Sequence, residues 1–241
     1  MVIGIIPARY TSTRFPGKSL ALIQSKPMIQ HVFERCKEAD LDDLFVATDD
    51  ERIKNCVKSF GGKVIMTNTN HLSGTDRCAE AARLLQLNHS DLVVNIQGDE
   101  PFIRKEEINL LTHLFQKKTV QIATLVKPIS TEEEYHNPNK VKAVITNSQQ
   151  ALYFSRAPIP YQNIVRGDNY RPLLAYKHIG IYAYSNDTLQ KITKLPVSKL
   201  EETEKLEQLR WLENGFTISV EICHYESVAI DTPEDLKSID N

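Results

Sequence analysis

The stretch GIIPARYTSTRFPGKS, residues 4–19, carries three cations, Arg9, Arg14 and Lys18, on a loop that follows an apolar run reading as a first strand. Arginine binds phosphate oxygens as a fork and lysine supplies a point charge, so such a loop at the carboxyl end of a strand suits a polyphosphate. Pro7, Pro16 and Gly17 stiffen or bend the backbone between the charges. Basic residues alone suit a solvated surface loop as well. The ending Gly17-Lys18-Ser19 copies the tail of a Walker P-loop, but that pattern needs glycine at position 12, where the chain has Ser12. No G-x-G-x-x-G follows the first strand either, which removes the dinucleotide fingerprint.

Two aspartates add to this chemistry. Asp99 follows the apolar run LVVNIQ, and Asp231 follows the shorter run SVAI. Open α/β sheets hold ligands beyond the carboxyl ends of strands, where both would lie. Each alone also reads as a turn or cap residue, and Thr232-Pro233 after Asp231 looks like a helix start with proline in the first helical position. Together with a cationic phosphate loop, two strand-end carboxylates suit Mg²⁺, which takes one or two carboxylates plus phosphate oxygens and waters. The segment SGTDR, with Ser73, Gly74 and Arg77, combines hydroxyls, a flexible backbone and a cation beside a helix start. That composition fits close backbone contact with a pyrimidine and equally fits an ordinary helix cap.

The elements that must position these residues alternate along the first half. Strand-like runs begin at Val2, Leu44, Lys63, Leu92, Gln121 and Val141, with helix-like segments at 27–39, 50–60, 76–87 and 105–116 between the early ones. Alternation of this length predicts a largely parallel sheet with helices on both faces. After about Val120 strands predominate, including ALYFS from Ala151 and YKHIGIYAY from Tyr176. In the latter, Ile179, Ile181 and Ala183 alternate onto one face, expected as core, while His178, Tyr182 and Tyr184 take the other, expected as a pocket wall. A long helix is expected around 200–214, with Leu206, Leu209 and Leu212 as its apolar stripe and Glu207 with Arg210 as an i, i+3 pair. The polar, proline-containing stretch 161–172 is the expected mobile loop.

With 241 residues, 41% hydrophobic and 25% charged, the chain is long enough to bury a substantial core as one domain with an elaboration. A net charge of -2 supplies no global field for nucleic acid or a membrane surface. Four scattered cysteines without a C-x-x-C pair fit a reducing compartment, and no signal peptide or membrane span is apparent, so the expected location is the cytoplasm.

IPARYTSTRFPGK resembles, nearly word for word, the N-terminal signature of the 3-deoxy-manno-octulosonate (Kdo) cytidylyltransferases. The likeness continues in order through VATDDERI, SGTDR, VNIQGDEP, NPNKVKAV, ALYFSRAPIP, KHIGIYAY, EKLEQLR and DTPEDL, and so covers essentially the whole chain. It implies a Rossmann-like nucleotidyltransferase sheet with a small dimerisation subdomain, here an insertion at about 130–185 in a single domain, and a homodimer. It also implies the reaction of CTP with Kdo to give CMP-Kdo and pyrophosphate for lipopolysaccharide biosynthesis, with Mg²⁺ as cofactor. Arg14, Lys18 and Asp99 would be catalytic, with Asp99 and Asp231 holding the metal. Pro7, Ala8, Arg9, Arg14, Lys18, Ser73, Gly74, Arg77 and Gln97 would bind the nucleotide. Gln97, Glu100, Arg156, His178, Tyr184, Glu207 and Gln208 would bind the acidic sugar, with Arg156 at its carboxylate. RWLENGF after Gln208 and the insert at 161–172 depart from the forms of the best-known members, which leaves Kdo and its 8-amino analogue as alternative acceptors. Two rival readings stand beside this one: a nucleotidyltransferase for another acidic sugar, and a nucleotide-binding regulatory protein on the same fold. The joint presence of Arg14, Lys18, Asp99 and Asp231 speaks against the second.

Overall fold

The computed structural model describes residues 1–11, 15–162, 175–225, 230, 232 and 235–236. In chain order the elements are β1 (Val2–Ala8), a 3₁₀ turn (Lys18–Leu20), β2 (Leu22–Ile23), β3 (Lys26–Pro27), α1 (Met28–Cys36), β4 (Asp43–Thr48), α2 (Glu51–Ser59), β5 (Val64–Met66), α3 (Gly74–Leu84), β6 (Leu92–Asn95) and α4 (Lys105–Leu114). They continue as β7 (Ile122–Pro128), α5 (Glu132–His136), β8 (Lys142–Ile145), β9 (Ala151–Ser155), β10 (Tyr176–Ser185), α6 (Asn186–Ile192), α7 (Lys199–Glu204), α8 (Gln208–Glu213) and β11 (Ile218–Ile222). The chain divides into two compact units, one of residues 1–113, 181–193 and 226–241 and the other of 114–180 and 194–225. Most of the segment 130–185 lies in the second, together with 114–129 and 194–225.

In the first unit β1 pairs in parallel with β4 on one side and β6 on the other, and β4 pairs in parallel with β5. The second half of β10 adds an antiparallel strand against β6. Ile5, Ile6, Val46 and Val94 are wholly buried, as expected for β-branched strands covered on both faces, and each burial stabilises by about 1.5–3 kcal/mol. Local chemistry starts the helices. Asp50 caps α2 by accepting from Arg52 N, and Ser73 with Asp76 closes a capping box at the start of α3.

Because β4 and β5 extend the sheet to one side of β1 while β6 lies on its other side, the direction of winding reverses between β1 and β6. The carboxyl ends of these two strands therefore flank a topological switch point, where doubly wound sheets open a crevice.

In the second unit β7 and β11 pair in parallel, and β8 pairs antiparallel with both β9 and the start of β10. Ile129, Tyr135 and Ala175 form a small separate cluster. Two expectations are corrected. The helix at 200–214 is broken into α7 and α8 by Lys205, whose φ of 55° is left-handed. Arg156 supplies the reason: its guanidinium draws in the carbonyls of Glu204 (Nε, 2.9 Å) and Lys205 (Nη2, 3.4 Å), ending α7 there. Arg210, expected beside Glu207, forks onto Glu201 with two bonds of 2.6 Å.

The second correction concerns β10. Tyr182 and Tyr184 are 7% and 0% exposed, as buried as Ile181 and Ala183 on the opposite face. An interior strand is covered on both faces, so alternation along it separates two buried rows rather than core from solvent. The expected mobile loop falls, apart from Tyr161 and Gln162, outside the described residues.

Candidate active site

The crevice at the switch point is lined by Pro7, Ala8 and Arg9 from the end of β1, Lys18 and Ser19 from the 3₁₀ turn, and Gln97, Gly98 and Asp99 beyond β6. His71, Leu72, Ser73, Gly74 and Arg77 complete it from the start of α3 and the loop before it. All belong to the first unit. The segment leading to Lys18 is held by a backbone bond from Gly17 N to Tyr10 O, 2.8 Å. Gly17 has φ 72°, and a Cβ there would lie 3.1 Å from the Tyr10 ring, so the position demands glycine on two counts. On α2, Arg52 stacks its guanidinium over the same ring at 3.3 Å while gripping Asp50 through Nε and Nη2. At the other wall, a Cβ on Gly74 would meet the Pro7 ring at 3.1 Å, so the missing side chain lets α3 begin close against the end of β1.

Lys18 Nζ lies 2.6 Å from Asp99 Oδ2. Their side chains are 13% and 28% exposed, so the charges are partly withdrawn from water yet open to the crevice. Asp99 is the one carboxylate among the described lining residues. The arrangement offers an anion two cations, Arg9 and Lys18, and offers a cation one strand-end carboxylate.

Arg77 lines the crevice but is 3% exposed and committed elsewhere: Nη1 donates to Thr67 Oγ1 at 2.6 Å and Nη2 to Asp49 Oδ2 at 3.1 Å. Glu100 is 7% exposed in the turn after Asp99 and is not among the lining residues. It faces α1, where burial first, and then the charges of Glu100 and Glu107, push the Cys36 thiol up. Tyr184 sits opposite Val93, fully buried, whereas Tyr182 sits opposite Asn95, two residues before Gln97, and is the tyrosine nearer the crevice end of β6. Arg14 and Asp231 lie outside the described residues. At the neighbouring Thr232 the cap expected from sequence is present, its Oγ1 accepting from Asp235 N at 3.2 Å.

In the second unit Arg156, Glu204 and Lys142 interlock. Besides the two bonds that end α7, Arg156 Nη1 donates to Pro138 O at 3.1 Å, and its backbone N donates to the Glu204 carboxylate at 2.9 Å. Lys142, wholly buried, donates to Asn137 O and Arg156 O at 2.8 and 2.7 Å, and burial is the main cause lowering its pKa. Gln208 opens α8 at 5% exposure, with Nε2 buried and unbonded. Burial pushes the His178 imidazole down to about 3, so it is neutral near pH 7. Its Nε2 is 3.0 Å from Thr124 Oγ1, which donates to Ile179 O at 3.2 Å.

Among residues not singled out in the sequence, His71 and Leu72 line the crevice. Their only signal was adjacency to SGTDR.

A switch-point crevice that pairs cations with a strand-end carboxylate defines a nucleotide-binding α/β protein. The chain belongs to the cytidylyltransferase family, whose model matches residues 3–222. It is 53% identical over 243 residues to the 3-deoxy-manno-octulosonate cytidylyltransferase of Parabacteroides distasonis, covering 98% of this chain and 95% of the relative. It is 51% identical over 236 residues to the 8-amino-3,8-dideoxy-manno-octulosonate cytidylyltransferase of Shewanella pealeana, covering 97% and 94%. A solved CMP:2-keto-3-deoxy-manno-octonic acid synthetase complexed with CTP superposes with a TM-score of 0.90 at 40% identity, covering 99% of this chain and 96% of that one.

Proposed function

We propose that this chain transfers the cytidylyl group of CTP to the anomeric hydroxyl of Kdo, releasing pyrophosphate and giving CMP-Kdo, a precursor for lipopolysaccharide. The hydroxyl oxygen attacks the α-phosphorus, the bond from that phosphorus to the β-phosphate's bridging oxygen breaks, and the hydroxyl proton passes to water. No side-chain nucleophile is required, so positioning and charge stabilisation carry the acceleration.

Arg9 and Lys18 hold the triphosphate, joined by Arg14 in the same loop. Lys18 stays with the pyrophosphate as its charge grows. Gln97 and the Ser73-Gly74 backbone at the start of α3 contact the nucleoside. Asp99 fits a magnesium ligand: a hard carboxylate oxygen, 28% exposed, lining the crevice. With Asp231 it would hold Mg²⁺, which would supply positive charge to the phosphates and make the attacking hydroxyl more acidic.

For the acceptor, Arg156 is the residue for the sugar's carboxylate. A guanidinium has five N–H donors, and three of these point at carbonyls, leaving one on each terminal nitrogen for a fork onto a carboxylate. The unbonded Gln208 amide and the neutral His178 suit hydroxyl groups. Glu207 completes the set. The enzyme works as a homodimer in the cytoplasm, with the dimer contact in the inserted subdomain.

What carries this proposal is identity of 53% along 98% of the chain to a protein of that name. The 51% identity to the Shewanella protein supports the 8-amino sugar as a second acceptor. Pyrophosphate release with CTP and Mg²⁺ tests both, run in parallel with Kdo, 8-amino-Kdo, N-acetylneuraminate and no sugar. Release with Kdo is expected. Release with 8-amino-Kdo alone would move the assignment to that sugar, and release with none would overturn it.

A further inference from the structure

Beyond the residues that line the crevice, α3 carries a group that shapes one of its walls. The loop from Thr67 to Ser73 brings His71 and Leu72 to the crevice, with Leu72 85% exposed at its edge. Three side chains of α3 hold that loop. Asp76 closes the capping box with Ser73, Arg77 bonds Thr67 Oγ1 and reaches Asn68 O, and Glu80 accepts from Asn68 N at 2.8 Å while pairing with His71 Nε2. Asp76 and Arg77 stand four and three residues before Glu80, so each neighbours it on the helix surface. His71 and Glu80 are 17% and 22% exposed, and the bonds from His71 and the Asn68 amide hold the Glu80 carboxyl below its ordinary range although burial acts to raise it.

The segments that line the crevice differ in charge. Arg9, Lys18 and Asp99 come from the segments after β1 and β6 and from the 3₁₀ turn. The start of α3 and the loop before it supply a histidine, an exposed leucine, a helix cap and Arg77, whose cation is already matched by Asp49. By chemistry a triphosphate suits the first set and a flat, weakly polar base the second.

Resting on the cytidylyltransferase reading, we propose that Glu80 is a positioning residue for the nucleobase: by its hydrogen bonds to the Asn68 amide and His71 it fixes the wall against which the pyrimidine of CTP lies. Glu80 itself touches no ligand. His71, a lining residue, is held with Nε2 on Glu80, and Leu72 supplies apolar surface next to it in the chain.

The test is steady-state kinetics on the full-length protein and its Glu80→Ala and Glu80→Gln variants, with thermal melts of each. Turnover of CTP and Kdo by the wild type is the control for the underlying reading; its absence overturns that reading and leaves this inference without a base to position. Given wild-type turnover, Glu80→Ala is expected to raise the KM for CTP about tenfold. The KM for the sugar, kcat and the inhibition constant of pyrophosphate, which has no base and needs only the charged set, should stay within about twofold. Glu80→Gln keeps an acceptor for the Asn68 amide and a partner for His71, and should recover to within about threefold of wild type. An unchanged KM for CTP, a parallel rise in both KM values, weakened pyrophosphate inhibition, or a Gln variant as impaired as the Ala variant would each overturn the proposal.

Discussion

Lys18 and Asp99 form a pair whose members the proposed reaction needs apart, one on phosphate and one on metal. A partly exposed ion pair contributes at most about 1 kcal/mol to stability. Asp99→Asn keeps the side chain's shape and removes its charge, so pyrophosphate release is expected to fall to background with Tm shifted by no more than about 2 °C. Mg²⁺-dependent turnover near wild type would sink the metal assignment. Arg156 has a structural role, and the proposal adds a binding one. Arg156→Ala should raise the KM for the acidic sugar at least tenfold more than that for CTP, and should also cost about 1–3 kcal/mol through the released carbonyls. Equal effects on the two substrates would remove Arg156 from the acceptor.

The break between α7 and α8 explains how far local sequence reaches. A helix cap at SGTDR was legible because its signal is local, and the structure makes it a capping box between Ser73 and Asp76. The parallel strands were legible because each apolar run is bounded by turn chemistry. The break at Lys205 was not, since EETEKLEQLR favours helix throughout and what ends α7 is an arginine 49 residues earlier in the chain. Alternation in β10 misled for a related reason: whether a strand's second face meets solvent depends on which elements cover it. A left-handed non-glycine residue costs about 1 kcal/mol, so Lys205→Gly should hold or raise Tm, while Lys205→Val should lower it by several degrees. A lower Tm for the glycine variant would show that the Lys205 side chain matters more than its backbone.

For the molecule as a whole, His178 links stability to pH. Its folded pKa, about 3, lies below the ordinary 6.5 because burial disfavours the charged ring. Between those values the unfolded chain binds a proton that the native protein does not, so stability is lost as pH falls from about 6.5, at up to about 1.4 kcal/mol per unit. Glu80 and Asp50, both held below their ordinary range, add losses in the same direction only at lower pH. Between pH 6.5 and 5, Tm should therefore slope for the wild type and stay flat for His178→Gln. Identical slopes would assign the acid sensitivity elsewhere. Much of the crevice lining was legible because its residues cluster in short runs after strands, at 7–18, 73–77 and 97–99, whereas His71 and Leu72 were not singled out. Of the residues proposed for the acceptor, Arg156 and Gln208 had only the resemblance to mark them and His178 the alternation of its strand besides, all three being separated by long stretches of chain. The 2.6 Å contact between Lys18 and Asp99 also bears on the order of events. With the lysine as counter-ion to the carboxylate proposed for the metal, a free divalent cation would first have to evict it, whereas a magnesium complex of CTP would bring phosphates to draw the lysine away. Titration calorimetry is expected to detect little uptake of Mg²⁺ by the protein alone, with metal and nucleotide entering as one package.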